Sequence, residues 1–221
     1  LFPSNFLIRF AKKNEMEEKL KNILQESILL FEKFGIRSVS MDDIAKELAI
    51  SKKTLYQFVE NKADLIDKAM QFKIDHSCNY VHDYINTKLH AIDVLLDVSK
   101  QVSKTYQESS PNIHFDLQKY YPEIYKKLIE KHKRIVYEGV KQNIERGIEQ
   151  GIYRNDLNAD LVAELYVSKL KEMNDNEFLN NTRYSFKKIF EVMFDSHIRA
   201  IVNDTGLKYY LERKESLKFK V

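Results

Sequence analysis

The residues best suited to chemistry in this chain lie in one short segment, between Lys52 and Gln57. The segment supplies two ammonium groups, a hydroxyl, a phenol and an amide, carried by Lys52, Lys53, Thr54, Tyr56 and Gln57. Ammonium and hydroxyl groups bind phosphate oxygens, and amides can read the edges of bases in the major groove. The residue types therefore predict contact with nucleic acid.

Two short amphipathic helices must position these side chains. Ser40 followed by Asp43 resembles a capping box and predicts a helix from Met41 to about Leu48. Ser51 is a suitable N-cap for a second helix from Lys52 to Phe58. The short linker between them has the length of the turn in a helix-turn-helix. The inner faces, which would pack together and leave the polar set exposed, consist of Ile44, Ala45, Leu48, Ile50, Leu55 and Phe58.

The same pattern allows a plainer interpretation. A helix-turn-helix can be an ordinary core element, and a lysine-bearing helix face is often only solvated. On the spacing alone, DNA binding and a purely structural role are about equally plausible.

No residue pattern supports catalysis or metal binding. Asp75, His76, Cys78 and His82 are close in sequence, but the two histidines do not have the spacing that puts zinc ligands on one helix face. The chain has no GxSxG, no HExxH and no glycine-rich phosphate loop. We therefore expect no enzyme activity, no metal and no cofactor.

Composition limits the fold class. The chain of 221 residues has only 5 glycines and 3 prolines, which argues against collagen, low-complexity disorder and a turn-rich β-sandwich. Its single cysteine excludes a disulfide framework and fits a reducing cytoplasm, where we expect the protein to reside. No apolar run is long enough to predict a membrane helix. The net charge of +3 is too small to indicate a partner by itself.

The hydrophobic periodicity is helical almost throughout, so the sequence predicts an all-α fold. Met16 begins the predicted pattern, and residues 1–14 are left outside it. Gly35 suits the end of the first helix. Asn61 with Asp64 predicts the cap of a long helix, and Asn158 caps another. After the two short helices, we predict helices near residues 62–86, 89–106, 113–120, 122–149, 158–173, 182–203 and 207–215.

The residues in and around this pair of helices resemble the tetracycline-repressor (TetR) family. The similarity covers about residues 18–66 and includes the upstream Phe31-x2-Phe34-Gly35. Its main positions are Ser40, Ile44, Ala45, Leu48, Ile50, Ser51, Thr54, Leu55, Tyr56, Phe58, Lys62 and Leu65. A weaker resemblance follows at residues 151–161. Ala49 departs from the family, which usually has glycine at this turn, and Lys53 stands where a small residue is common.

The resemblance implies a regulator with two domains. Residues 15–75 would form a three-helix helix-turn-helix domain, and residues 76–221 a helical domain for ligand binding and dimerisation. By position, Thr54 and Tyr56 match residues that touch the DNA backbone, and Lys62 matches a phosphate-binding lysine at a helix N-terminus. Lys52, Lys53 and Gln57 match positions that face bases or phosphates. Ser40 completes the predicted DNA-binding set.

The C-terminal region is rich in tyrosine and phenylalanine, which can line a pocket but more often belong to a core. Phe115, Tyr121, Tyr125 and Tyr166 are the predicted ligand-binding residues. For dimerisation, we expect the apolar faces of the helices at 158–173 and 182–203 to form a four-helix bundle with a second subunit. Packing of these faces within a monomer is the alternative.

The predicted function is therefore that of a transcriptional regulator, most simply a repressor. It would bind a palindromic operator in double-stranded DNA as a homodimer and be released by a small apolar or aromatic effector. The alternative is a helical interaction or scaffold protein with a vestigial helix-turn-helix. DNA binding that weakens steeply with salt would distinguish the two.

Overall fold

The structure, a computed structural model, describes residues 4–85, 89–108, 111–173 and 182–216. Within these ranges the chain forms ten α-helices, and the only β-type pairing is an isolated antiparallel bridge between Tyr153 and Val202. The helices are α1 (Ser4–Phe34), α2 (Met41–Glu47), α3 (Lys52–Leu55), α4 (Lys62–Ile85), α5 (Ala91–Glu108), α6 (Pro111–Tyr120), α7 (Pro122–Glu149), α8 (Ala159–Met173), α9 (Phe186–Ile201) and α10 (Asp204–Ser216). The predicted all-α fold class is confirmed.

Most helix boundaries follow from local chemistry. Pro111 and Pro122 begin α6 and α7. Proline suits this position because the N–H groups at the start of a helix have no acceptor within the helix. The second short helix is shorter than predicted: α3 ends at Leu55, and the amides of Gln57 and Phe58 bond to carbonyls three residues back. This tighter winding ends the α-helix within the turn that follows. Ser185 caps α9, so that helix begins later than residue 182.

Internal packing divides the chain into two units. The first contains Leu1–Ser77 and Ser109–Glu130, and the second contains Cys78–Glu108 and Lys131–Val221. Helix α6 and the start of α7 therefore pack with the N-terminal helices. The predicted boundary between residues 75 and 76 separates a DNA-binding domain from a domain for ligand binding and dimerisation. Packing does not test these roles, so this boundary stays a prediction.

The core of the first unit holds the two short helices in place. Phe31 of α1, Ile44 of α2 and Leu55 of α3 are fully buried in one cluster. Leu48, Ile50 and Phe58 pack against that cluster as the sequence predicts. Ile113, Leu117 and Leu128 join the same core from α6 and α7. The helix-turn-helix thus rests on apolar contacts from both N-terminal and later segments.

The core of the second unit contains the apolar stripe of α9. Phe190 is only 3% exposed, and Phe186, Phe194 and Ile198 are buried in the same cluster. The prediction that this stripe faces a second subunit is therefore wrong for these residues, because contacts within the chain already cover them. The large apolar side chains that these two helices leave exposed are Leu161 and Leu165 on α8 and Val192 on α9.

In the part of the chain that the structure describes, no helix is both long and apolar enough to cross a membrane.

Candidate nucleic-acid interface

Helix α2 begins with the predicted capping box. The hydroxyl of Ser40 accepts the backbone N–H of Asp43 at 3.1 Å, and the Asp43 carboxylate accepts the backbone N–H of Ser40 at 2.8 Å. The Ser40 hydroxyl also donates to the Asp43 carboxylate at 2.6 Å, and this bond, followed by the bond from the Ser40 backbone, lowers the pKa of Asp43. Ser40 therefore fixes the start of α2, and its hydroxyl lies exposed at that end.

The turn between α2 and α3 depends on one unusual backbone conformation. Among the described residues other than glycine, Ala49 alone has a positive φ, at 51°. The amide of Ile50 then bonds back to the carbonyl of Ala45 at 3.0 Å, which closes the end of α2. The left-handed conformation explains why a glycine would suit this position.

Helix α3 presents the predicted DNA-binding residues around a buried anchor. The Ser51 hydroxyl accepts the amide of Thr54 at 3.0 Å and caps the helix, while Leu55 is fully buried. With Leu55 directed inward, the remaining side chains lie on the outer side. Thr54 is half-buried, and the exposed members are Lys52, Lys53, Tyr56 and Gln57. The structure therefore brings these five residues together on one short helix and its following turn.

An acidic neighbour already contacts one of these groups. The Lys52 ammonium lies 3.0 Å from the Asp42 carboxylate, and both side chains are exposed. The hydrogen bond, followed by the charge attraction, raises the pKa of Lys52. An exposed pair of this kind contributes little to stability, so the ammonium can exchange this partner for a phosphate.

Lys62 is placed differently from the other predicted phosphate ligands. It is the first residue of α4 and half-buried, and its ammonium donates to the carbonyl of Arg37 at 3.3 Å. Burial lowers the pKa of Lys62, and the nearby carboxylates of Asp116 and Asp43 act against that shift. Lys62 thus connects the start of α4 to the loop before α2.

The start of α4 is fixed by a second set of hydrogen bonds. The Asn61 side chain accepts the amide of Asp64 at 3.0 Å, as predicted from the sequence. The Asp64 carboxylate accepts the amide of Glu60 at 2.9 Å and the ammonium of Lys68 at 2.7 Å. Lys68 also donates to the carbonyl of Phe58 at 3.1 Å. The segment after α3 is therefore fastened to α4.

Two residues of α6 support this region and were not predicted. The buried Asp116 accepts the backbone N–H of Arg37, and the hydroxyl of Tyr120 accepts the Arg37 guanidinium at 2.8 Å. The guanidinium carbon also lies 5.1 Å from the centre of the Tyr120 ring. No local sequence signal marks these contacts, since the partners are about 80 positions apart.

Three of the four predicted ligand-binding aromatics belong to the first unit. Phe115 is 56% exposed, with the Lys119 ammonium 5.1 Å from its ring centre. Tyr121 and Tyr125 are half-buried against the first core, and burial raises the pKa of Tyr121. Tyr166 is buried in the second unit, with its ring centre 4.5 Å from that of His197.

Asp75 and His76 are not part of a metal site within the described residues. That part of the chain contains no group of three or more His, Cys, Asp or Glu side chains that could hold a metal ion. The side chains of Cys78 and His82, which belong to the same candidate, lie outside the described residues.

Several known proteins with a similar sequence or fold are regulators. Residues 23–69 match the family model of bacterial regulatory proteins, tetR family. The HTH-type negative transcriptional regulator IcaR of the biofilm operon icaADBC, from Staphylococcus aureus strain Newman, is 27% identical over 111 residues. That alignment covers 43% of this chain and 60% of the length of IcaR.

Two solved structures have a similar fold. The crystal structure of a transcriptional regulator from Cytophaga hutchinsonii has a TM-score of 0.70 at 18% identity, covering 84% of this chain and 99% of its own. A TetR transcription regulator from Haloarcula marismortui has a TM-score of 0.64 at 15% identity, covering 85% and 100%. At these identities the solved structures show the fold alone.

The match over residues 23–69 runs from α1 into α4 and includes α2, the turn at Ala49 and α3. The resemblance inferred from the motif is therefore confirmed over the segment that carries the candidate interface.

Proposed function

Residues 23–69 belong to the TetR family of bacterial regulatory proteins, and from this premise we propose that the chain is a DNA-binding transcriptional repressor. It binds a palindromic operator as a homodimer in the cytoplasm, and a small-molecule effector releases it.

One observation carries the proposal: the outward surface of α3. Leu55 is fully buried and Ser51 caps the helix, which directs Lys52, Lys53, Tyr56 and Gln57 to solvent. This arrangement offers phosphate ligands on a rigidly anchored helix and an amide on the turn that follows it, as a major-groove reader requires.

We assign roles by chemistry and position. Thr54 and Tyr56 contact the DNA backbone through their hydroxyls. Lys52, Lys53 and Gln57 contact phosphates or base edges. Ser40 and Lys62, at the starts of α2 and α4, lie where helix N-termini attract phosphate.

Repression rests on the relative IcaR, whose name describes a negative transcriptional regulator. Dimerisation rests on the exposed leucines of α8, Leu161 and Leu165, which are more than half exposed. A two-fold dimer supplies two recognition helices, which a palindromic site requires.

The central experiment selects genomic DNA fragments bound by the full-length chain and then measures affinity for the enriched site at several salt concentrations. We expect a steep loss of affinity with salt, because lysine–phosphate contacts release counterions. Absence of an enriched site, together with salt-independent binding, would favour the scaffold alternative.

Variants assign the contacts. Lys62→Ala should weaken binding to all sequences alike and reduce the salt slope by about one unit, since a phosphate contact carries no base information. Gln57→Ala and Lys53→Ala should change the preferred bases if their side chains reach base edges. Lys126→Ala, an exposed lysine of α7, is the matched control and should change neither property. If all three test variants bind as the parent does, the recognition helix is misassigned.

A further inference from the structure

A cavity of about 170 Å³ lies within the second unit, between α8 and α9. Its buried floor is formed by Tyr166, His197 and Ile201, and its exposed rim includes Leu165, Lys169 and Ser196. The remaining lining residues are Leu157, Val162 and Ala200.

The floor contains a polar atom without a partner. His197 is 8% exposed, and its Nε2 atom is buried with no hydrogen-bond partner among the described residues. Nε2 itself has almost no accessible surface, so His197 lines the cavity with its other side-chain atoms and offers the ligand no hydrogen bond.

The charges of the lining favour an anion. Lys169 is the only charged residue among the nine that line the cavity, and no carboxylate is among them. Asp195 is close in sequence, but its carboxylate is occupied by Lys214 at 2.6 Å and Arg199 at 2.7 Å. An anionic group at the rim therefore meets an ammonium without a competing acid in the lining.

The size and the walls favour one aromatic ring. Leucine, valine, isoleucine and alanine side chains form most of the surface, and the Tyr166 ring adds an aromatic face. An apolar cavity of about 150 Å³ is known to hold benzene, so the volume here suits a single ring with one small substituent.

We propose that this cavity binds a small aromatic carboxylate, with the ring among the apolar side chains and the carboxylate at Lys169 and Ser196. This site adds a ligand class to the proposed function. Only the role of the ligand as the effector rests on that proposed function.

The position of the cavity connects the ligand to assembly. Leu165 belongs both to the cavity rim and to the exposed face of α8 that we propose for dimerisation. A second copy on that face would cover the ligand, so binding and dimerisation would be thermodynamically linked.

Calorimetry of the full chain at neutral pH tests the site with two probes, benzoate and its neutral analogue benzamide. We expect one saturable benzoate site per chain with at least about tenfold tighter binding than benzamide, since only benzoate pairs with the ammonium. The side-chain resonances of His197 should shift when benzoate binds, because this residue lines the cavity. No saturable benzoate binding at about 10 mM would overturn the proposal, as would equal affinities for the two probes.

Two variants separate the site from general effects. Lys169→Gln should lose about tenfold in benzoate affinity and leave benzamide unchanged. Lys171→Gln, an exposed lysine of α8 outside the cavity lining, is the matched control and should leave both affinities unchanged. Ala200→Phe fills the cavity from its exposed rim and should abolish binding of both probes while the protein stays folded. Unchanged benzoate binding in Lys169→Gln or Ala200→Phe would place the ligand elsewhere and overturn the assignment.

The operator-binding assay is run separately, with and without benzoate. Benzoate binding in a protein that binds no DNA would support the site and contradict the proposed function. Loss of operator binding on addition of benzoate would support both.

Discussion

The Asp116 carboxylate accepts the backbone N–H of Arg37 at 2.9 Å, although the two residues are 79 positions apart. The same carboxylate would lie 3.3 Å from a Cβ added at Gly35, whose φ is +83°. The Arg37 side chain meanwhile donates to Tyr120 on the next turn of α6. One helix from the middle of the chain thus fastens the loop between α1 and α2, immediately before the candidate DNA-binding helices.

Replacing this carboxylate should destabilise the protein. In Asp116→Ala the Arg37 amide loses its acceptor in a part-buried place, so we expect the free energy of unfolding to fall by about 1–3 kcal/mol. Asp116→Asn keeps an oxygen acceptor and should lose less. Denaturation by urea measures both changes. Glu123→Ala removes an exposed acid of α7 and is the control; an equal effect in the control and in Asp116→Ala would contradict this role.

The contrast between local and distant contacts explains what the sequence could predict. The caps at Ser40, Ser51 and Asn61 involve partners three residues away, and the structure confirms all three. The contact of Asp116 with Arg37 has no such signature, because nothing near either residue indicates the other. For the same reason the sequence could not predict that α6 packs with the N-terminal unit.

Amphipathic patterns left a second question open. The stripe of α9 is apolar regardless of what covers it, so the sequence could not distinguish its own core from a second subunit. The structure buries Phe190 within the chain and leaves Val192 49% exposed. The cavity beside His197 also had no sequence signal, because it depends on how α8 and α9 pack against each other.

Ala49→Gly should stabilise the protein. A left-handed conformation costs a residue with a Cβ roughly 1–2 kcal/mol, and glycine avoids this cost. The greater conformational entropy of glycine in the unfolded chain offsets part of the resulting stabilisation. With φ at 51°, we expect a net increase of about 1 kcal/mol in the free energy of unfolding. Ala63→Gly, in the first turn of α4, should shift the urea midpoint in the opposite direction. A lower midpoint for Ala49→Gly would show that the turn does not need this conformation.

His197 should make stability depend on pH. Burial, and then the charge of Lys169, lower the pKa of His197 to about 4 in the folded chain, against 6.5 for the ordinary group. As the pH falls from 6.5 towards 4, the unfolded chain binds a proton that the folded chain does not. The free energy of unfolding should therefore fall with decreasing pH, by up to about 3 kcal/mol across this window.

Comparison with His197→Gln isolates this contribution. The difference in unfolding free energy between the parent and the variant should change between about pH 6.5 and 4 and be constant above and below this window. The titration of Asp195 lies outside the pH window of His197. Partial burial alone would raise its pKa, but hydrogen bonds from Lys214, Tyr210 and Arg199 together lower it to about 2, so its effect is lost at more acidic pH. A parent–variant difference that is constant from pH 7 to 4 would contradict the buried neutral histidine.

The exposed leucines of α8 give the sharpest test of the proposed dimer. Leu161 is 57% exposed and does not line the cavity, so Leu161→Glu should preserve the fold and the aromatic-acid site. In a dimer, the same change buries an unpaired charge, which costs several kcal/mol. We therefore expect Leu161→Glu to sediment as a monomer and to lose operator affinity, while its melting temperature at low protein concentration stays close to that of the monomeric parent.

Phe190→Glu should instead unfold the chain, because Phe190 lies in the internal core. Leu29→Glu, at 56% exposure on α1, is the matched control and should leave the sedimentation unchanged. A parent that sediments as a monomer at every concentration, or a Leu161→Glu variant that stays dimeric, would show that this face of α8 is not the interface.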